Sequence, residues 1–149
     1  RAELVLKLLT GEVTKWLPPA WQEIYSIERA ESWIDDLERD GGTVLVAEES
    51  ANGAFVGMLI LSNADQSESN EVHIGYLILQ SRQGEGFATE LVRGFVDWAG
   101  SQSGIESVFA GVAEAHVASR AVLEKSGFSL IDSDEQPGSD LMYVFSLQR

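Results

Sequence analysis

Val72-His73-Ile74-Gly75-Tyr76-Leu77-Ile78-Leu79-Gln80-Ser81-Arg82-Gln83-Gly84-Glu85-Gly86-Phe87-Ala88-Thr89-Glu90-Leu91 is the stretch that decides how this chain folds. It opens as a strand over Val72 to Leu79, whose far half, Tyr76-Leu77-Ile78-Leu79, is apolar at every position. A strand apolar on both faces belongs in the middle of a sheet. The period then changes from two to about 3.6. From about Gly86 to Ala99, the residues Phe87, Leu91, Val92, Phe95, Val96 and Ala99 form one apolar helical stripe. Between strand and helix lies the loop Ser81-Arg82-Gln83-Gly84-Glu85-Gly86. Gly84 and Gly86 leave no Cβ between the backbone and a ligand. The N–H groups at the helix start have no intrahelical partner, and with the positive end of the helix dipole they suit an anion such as a pyrophosphate. Arg82 is placed to add a charge-assisted hydrogen bond. Two glycines before a helix fit a plain tight turn equally well. No Gly-Lys-Ser/Thr follows, which excludes a Walker A loop, and Thr89 stands where a dinucleotide fingerprint needs its third glycine.

Working outward, residues 2–9 read as a short helix that runs into Trp16-Leu17-Pro18-Pro19, where the prolines stop regular structure. Ile27, Ala30, Ile34 and Leu37 keep helical spacing until Gly41-Gly42. Thr43 to Ala47 and Ala54 to Leu61 read as strands joined by a type I′ turn at Asn52-Gly53. Beyond the central unit come a strand over Ser107 to Val112, a helix over about Ala118 to Ser126 capped by Gly127, and strands over Phe128 to Ile131 and Leu141 to Leu147. The segment Asp132–Asp140, with Pro137-Gly138, connects the last two. The expected fold is α/β (α+β): one domain over residues 1–149, a mixed, mostly antiparallel sheet with helices on its faces.

Composition narrows the chemistry. The chain has no cysteine, which excludes disulfides, thiolate metal sites and a covalent acyl-cysteine intermediate. Its two histidines, His73 and His116, lie far apart in sequence and do not suit a histidine metal centre. A net charge of −14 repels phosphate backbones and favours cationic partners, although the same charge serves solubility. No apolar run reaches the roughly 20 residues of a membrane-spanning helix. Arg1-Ala2-Glu3-Leu4 does not open a signal peptide, so a cytoplasmic location is the default expectation. The absence of an initial Met reads as a fragment.

The run Ile74-Gly75-Tyr76-Leu77 … Gly84-Glu85-Gly86-Phe87-Ala88-Thr89-Glu90-Leu91 resembles the acetyl-CoA motif of the GNAT acetyltransferases, in particular their RimJ/RimL-like branch. Ser119-Arg120-Ala121-Val122-Leu123-Glu124-Lys125-Ser126-Gly127-Phe128 is similar to that branch's Ser-x-x-x-Leu-Glu-Lys-x-Gly-Phe segment, and Val13-Thr14-Lys15-Trp16-Leu17-Pro18 to its early segment. The resemblance covers nearly the whole chain. It departs at Ser81, where Gln or Arg is usual, and at His116, where Asn is common. The family's first strand precedes the helix with which this chain begins.

The resemblance implies acetyl-CoA as cosubstrate, no metal, and direct attack by an amine in a ternary complex. In similar proteins the strand before the loop splays from its parallel neighbour, and the pantetheine arm lies in the gap. Carried over, the main chain at Leu77, Ile78 and Leu79 pairs with the pantetheine amides. The N–H groups from Gln83, Gly84, Glu85, Gly86, Phe87 and Ala88, with Arg82 and Thr89 beside them, hold the pyrophosphate. An N–H near Leu77 or Ile78 faces the thioester oxygen. Ser119 matches the branch's general acid; a helix-start serine is its plain alternative. His116 orients the pantetheine or Ser119, or is a surface histidine. Glu71 and His73 share one strand face by the period of two, and imidazole ordinarily titrates near neutral pH, so either serves as base, as does Glu114. Trp16, Trp21, Trp33 and Tyr25 line an acceptor pocket or pack the core. Glu48, Glu49, Asp65, Glu68 and Asp132–Glu135 attract a cationic acceptor or are simply solvated. The expected partners are acetyl-CoA and an amine, small or a basic protein N-terminus, with no nucleic acid and no membrane, for a monomer or homodimer. A non-catalytic acyl-CoA-binding module and a pure interaction domain are the alternatives.

Overall fold

The computed structural model describes residues 1–10, 13, 15–17, 22, 24, 26–62, 70–131 and 141–147. Helix α1 (Ala2–Leu8) and helix α2 (Ile27–Arg39) come first, followed by strands β1 (Thr43–Glu48), β2 (Phe55–Ser62) and β3 (Glu71–Ile78). A 3₁₀ turn over Gln80–Arg82 leads into helix α3 (Phe87–Gly100), strand β4 (Ser107–Val112) and helix α4 (Val117–Lys125). Strands β5 (Ser129–Leu130) and β6 (Leu141–Ser146) are the last elements among the described residues. Each expected element is present, with ends moved by one or two residues. Pro18, Pro19 and the Asp132–Asp140 connection lie outside the described residues.

The strands form one sheet in the order β1-β2-β3-β4-β6-β5, and β3 with β4 is its parallel pair. All other pairings are antiparallel. Alternation along the strands divides the core in two. On one face Leu59, Ile74, Val108 and Tyr143 pack with Val92, Phe95 and Ala99 of α3 and Leu123 of α4. On the other, Met58, Ile60 and Leu77 pack with Val5 and Leu8 of α1 and Ala30, Trp33 and Ile34 of α2. The two cores hold the central strand between layers of helices, as its two-faced apolar pattern requires.

The β1–β2 hairpin differs from the expected type I′ turn. Its loop spans residues 50–53 and is closed by the Glu49 N–H donating to Ala54 C=O at 2.8 Å. Gly53 alone takes a positive φ, 72°, because Asn52 uses its side-chain oxygen to accept the Ala54 N–H at 2.9 Å. That local bond selects a longer loop. The cap expected at Gly127 is present: it has φ 94°, and its N–H returns to Glu124 C=O.

Candidate functional site

The parallel pairing of β3 with β4 runs from Glu71 opposite Ser107 to Ile74 opposite Ala110, then stops. Both strands continue, β3 to Ile78 and β4 to Val112, so the sheet opens a gap along Gly75–Ile78. Register with β2 decides which main-chain groups line it. Leu79 N–H donates to Val56 C=O at 2.9 Å. Because bonded pairs alternate along an antiparallel ladder, Leu77 opposite Met58 also bonds toward β2. Tyr76 and Ile78 therefore turn their N–H and C=O groups to the gap. Of the three main-chain positions expected to line it, only Ile78 does so; Leu77 and Leu79 are committed to β2. Gln83 donates its side-chain N–H to Ile78 C=O at 3.3 Å, from the gap side.

The turn after β3 is exposed. Gly84 and Gly86 adopt φ of 83° and 87°, in the left-handed region, and a Cβ on either would meet nothing within 4 Å. The glycines therefore serve the backbone path, and the space above them is open. Gly86 is the N-cap of α3 and accepts the Glu90 N–H at 3.0 Å. The N–H groups of Gly84, Glu85, Gly86, Phe87, Ala88 and Thr89 have no acceptor among the described residues. Gln83 N–H, expected in this set, goes to Gln80 C=O at 3.4 Å, and Thr89 takes its place. Arg82 departs from its expected part. Its guanidinium donates to Glu85 at 2.9 Å and to Glu49 at 3.0 Å and lies 4.9 Å from the Phe87 ring centre. It fastens the turn to the β1–β2 hairpin, and it occupies Glu49, one of the carboxylates expected to attract an acceptor. Outside the first turn of α3, an open cleft of about 630 Å³ is lined by Gly86, Thr89, Arg93 and Lys125, with Glu90 and Asp97 beside them. The sequence reading missed Arg93 and Lys125.

Ser119 stands in the first turn of α4, and its Oγ lies 2.7 Å from the Tyr76 hydroxyl of β3. The Tyr76 O–H is also 3.2 Å from Ser119 C=O. Burial pushes the Tyr76 pKa up to about 12, against the Ser119 hydrogen bond, which lowers it. The next residue, Arg120, donates to the Tyr143 hydroxyl at 3.2 Å and to Glu114 C=O at 3.1 Å. The start of α4 is thus held between β3 and β6. Tyr76 reads in the sequence as part of an apolar run, which conceals this contact.

His116 is the N-cap residue of α4 but makes no hydrogen bond to Ser119. Its ring stacks on Trp16, with centres 4.5 Å apart and planes at 8°. This contact joins the N-terminal segment to α4 across the open end of the sheet. Burial, and then the Lys15 charge, push the His116 pKa down. The native state therefore favours neutral imidazole, and the stability it contributes is full above the ordinary histidine value. It is lost as pH falls from there through the lowered native value. Melting temperatures are expected to fall from pH 7.5 to pH 5, with a smaller fall in His116→Asn; an identical pH dependence in the variant would remove the histidine as a cause.

His73 and Glu71 lie on the face opposite Ser119, beside the paired part of β3. The His73 ring stacks on Phe109, 5.1 Å between centres. Glu114 is exposed in the turn before α4. The structure therefore does not gather these candidate bases around Ser119; the sheet lies between His73 and Glu71 and the serine. Trp33 is a core residue, 8% exposed. Trp21, Tyr25, Asp65, Glu68 and Asp132–Glu135 lie outside the described residues. Among the described residues no group of three or more His, Asp or Glu side chains is placed to hold a metal ion, and no helix is long and apolar enough to cross a membrane.

A mixed sheet parted at the one parallel pair among the described strands, with helices on both faces and unpartnered N–H groups at the next helix start, defines a three-layer α/β fold. The chain belongs to the GNAT acetyltransferase family: the family model described as Acetyltransferase (GNAT) domain matches residues 2–129. A probable N-acetyltransferase, YjcK of Bacillus subtilis (strain 168), is 27% identical over 110 residues, covering 71% of this chain and 61% of its own length. The chain thus spans about three fifths of that curated relative. A RimL ribosomal-protein alpha-N-acetyltransferase in complex with coenzyme A superposes with a TM-score of 0.80 at 20% identity, covering 98% of this chain and 86% of the other. The aminoglycoside acetyltransferase AAC(6′)-Ib with coenzyme A and kanamycin does so with a TM-score of 0.80 at 18% identity, covering 97% and 88%. At such identities the likeness is one of fold.

Proposed function

We propose that this chain transfers the acetyl group of acetyl-CoA to a primary amine by direct attack within a ternary complex. The observation that carries the reading is the coincidence of the strand gap with the unpartnered N–H groups of residues 84–89, one directly following the other along the chain. A long carrier with a diphosphate at one end and amides along its arm matches that sequence of groups. The residues present fit it. The N–H groups of Gly84 to Thr89 would hold the diphosphate, the main chain of Tyr76 and Ile78 the amides, and the cleft beside Arg93 and Lys125 the rest of the nucleotide. The carrier supplies an acetyl group activated as a thioester.

The protein's own part is to position and to move protons. Holding both reactants in one gap removes much of the entropic barrier. Ser119 gives its hydroxyl proton to the departing sulfur and regains one from water. On the opposite face, His73 or Glu71 takes the amine's proton through water. Both lie beside the paired part of β3, on the face away from Ser119, so a chain of water carries the proton to them. A net charge of −14 favours a basic acceptor, and the fold relatives include one named for a ribosomal protein and one holding kanamycin.

Acetyl-CoA at about 100 times its Kd should stabilise the fold by about 2.7 kcal/mol, raising the melting temperature by about 5–10 °C. Spermidine, kanamycin and a peptide with a free N-terminal Ser should then be compared for release of CoA. Ser119→Ala is expected to lower kcat about 10²-fold with acetyl-CoA affinity unchanged. Stabilisation without turnover on any amine would point to a non-catalytic binding module, and no stabilisation would remove the acyl-CoA reading.

A further inference from the structure

A serine hydroxyl donates only one proton, and its partners decide where that proton points. Ser126, in the turn after α4, gives its proton to Val122 C=O at 2.7 Å and is spent within its own helix. Ser119 has no such bond; its neighbour is Tyr76, reached across the opening between β3 and α4. Two arrangements are possible. If the Tyr76 proton goes to Ser119 C=O, the serine must donate to the tyrosine oxygen and faces away from the gap. If the Tyr76 proton goes to Ser119 Oγ, the serine proton is free to turn into the gap. The 2.7 Å separation of the two hydroxyls is common to both arrangements, and the second is the one that leaves the serine a proton for the gap.

We propose that Tyr76 is the positioning residue of the acyl-transfer site: its hydroxyl donates to Ser119 Oγ and so directs the serine proton at the sulfur leaving the thioester. The inference rests on the acetyltransferase reading given above. The carbon–sulfur bond breaks with its electron pair on sulfur, sulfur takes the serine proton, and the serine regains one from water, leaving Tyr76 unchanged. Burial keeps the phenol protonated throughout the working pH range, so the donor is always present. Rigidity comes from the neighbouring residue, since Arg120 ties the same helical turn to Tyr143 of β6 and to the Glu114 carbonyl. The turn that carries the serine is thereby tied to strands on both sides of β4.

Tyr76→Phe removes the hydroxyl and keeps the ring. With the amine of the panel that turns over best, kcat is expected to fall about tenfold, with KM for acetyl-CoA and its thermal shift within about twofold of wild type. Ser119→Thr, which restores a hydroxyl, is expected to recover most of the rate lost in Ser119→Ala. That recovery should disappear in Tyr76→Phe/Ser119→Thr. A kcat within twofold of wild type in Tyr76→Phe would overturn the inference. So would a fall matched by an equal loss of acetyl-CoA affinity, which would make the bond a structural tie, or a recovery by threonine that persists without the phenol. Failure of the wild-type protein to bind acetyl-CoA, or to turn over any amine, would instead remove the underlying reading and this inference with it.

Discussion

Gly86→Val is expected to abolish the acetyl-CoA-dependent rise in melting temperature and to weaken binding at least about 100-fold, a loss of about 2.7 kcal/mol. Gly86 is the N-cap of α3 with φ 87°, a left-handed conformation that costs an L-residue roughly 1–2 kcal/mol and a β-branched one more. A Cβ there meets no neighbour within 4 Å, so the defect arises from the backbone and not from a clash. The strain is relieved by rotating the Gly86 peptide out of the left-handed region, which re-aims the unpartnered N–H groups of the turn that enters α3. Binding by backbone donors has no side-chain substitute, so the loss should be nearly complete. The apo protein should lose only a few degrees, because the turn is exposed and both core clusters lie elsewhere. Gly86→Asn, which tolerates the left-handed region, should bind with intermediate affinity. Isothermal titration with acetyl-CoA checks both variants, and undiminished binding by the valine variant would remove the turn from the site.

The turn was legible in the sequence because periodicity and glycine placement are local. The strand, the loop and the amphipathic stripe from Phe87 to Ala99 each follow from neighbours within a few residues, and β4 was bounded correctly at both ends for the same reason. What stayed hidden depends on pairs distant in the chain. Which of Leu77, Ile78 and Leu79 face the gap is set by the register of β3 on β2, and no property of those three residues encodes it. Arg82 looked available for a phosphate because its partner Glu49 lies 33 residues earlier, on a hairpin that the fold brings alongside. Trp16 and His116 meet only when the two helical layers close over the sheet's open end. Tyr76 was hidden by its own apolarity: a phenol in the run Tyr76-Leu77-Ile78-Leu79 reads as core, and only the placement of α4 shows its hydroxyl meeting Ser119.

The register that hides the gap also exposes its most sensitive point. Gly57→Ala is expected to destabilise the protein by about 1–3 kcal/mol, lowering the melting temperature by roughly 2–12 °C. Gly57 of β2 stands opposite Ile78, and a Cβ at this position would collide with the Leu77 carbonyl oxygen and lie 3.0 Å from Ile78 Cδ1 and 3.2 Å from Ile78 Cα. Two of these three atoms belong to the main chain of β3, so no rotamer change relieves the contact. The strands must part or shift instead, and the part of β3 that shifts is the one whose Ile78 N–H and C=O face the gap. Acetyl-CoA affinity should therefore fall together with stability, by more than global unfolding explains at a temperature where the variant is still folded. Thermal melts paired with titration at 15 °C separate the two effects. An alanine variant as stable as wild type would mean that β2 and β3 do not pack in this register. A destabilised variant with undiminished affinity would mean that the gap edge of β3 is not where the carrier binds.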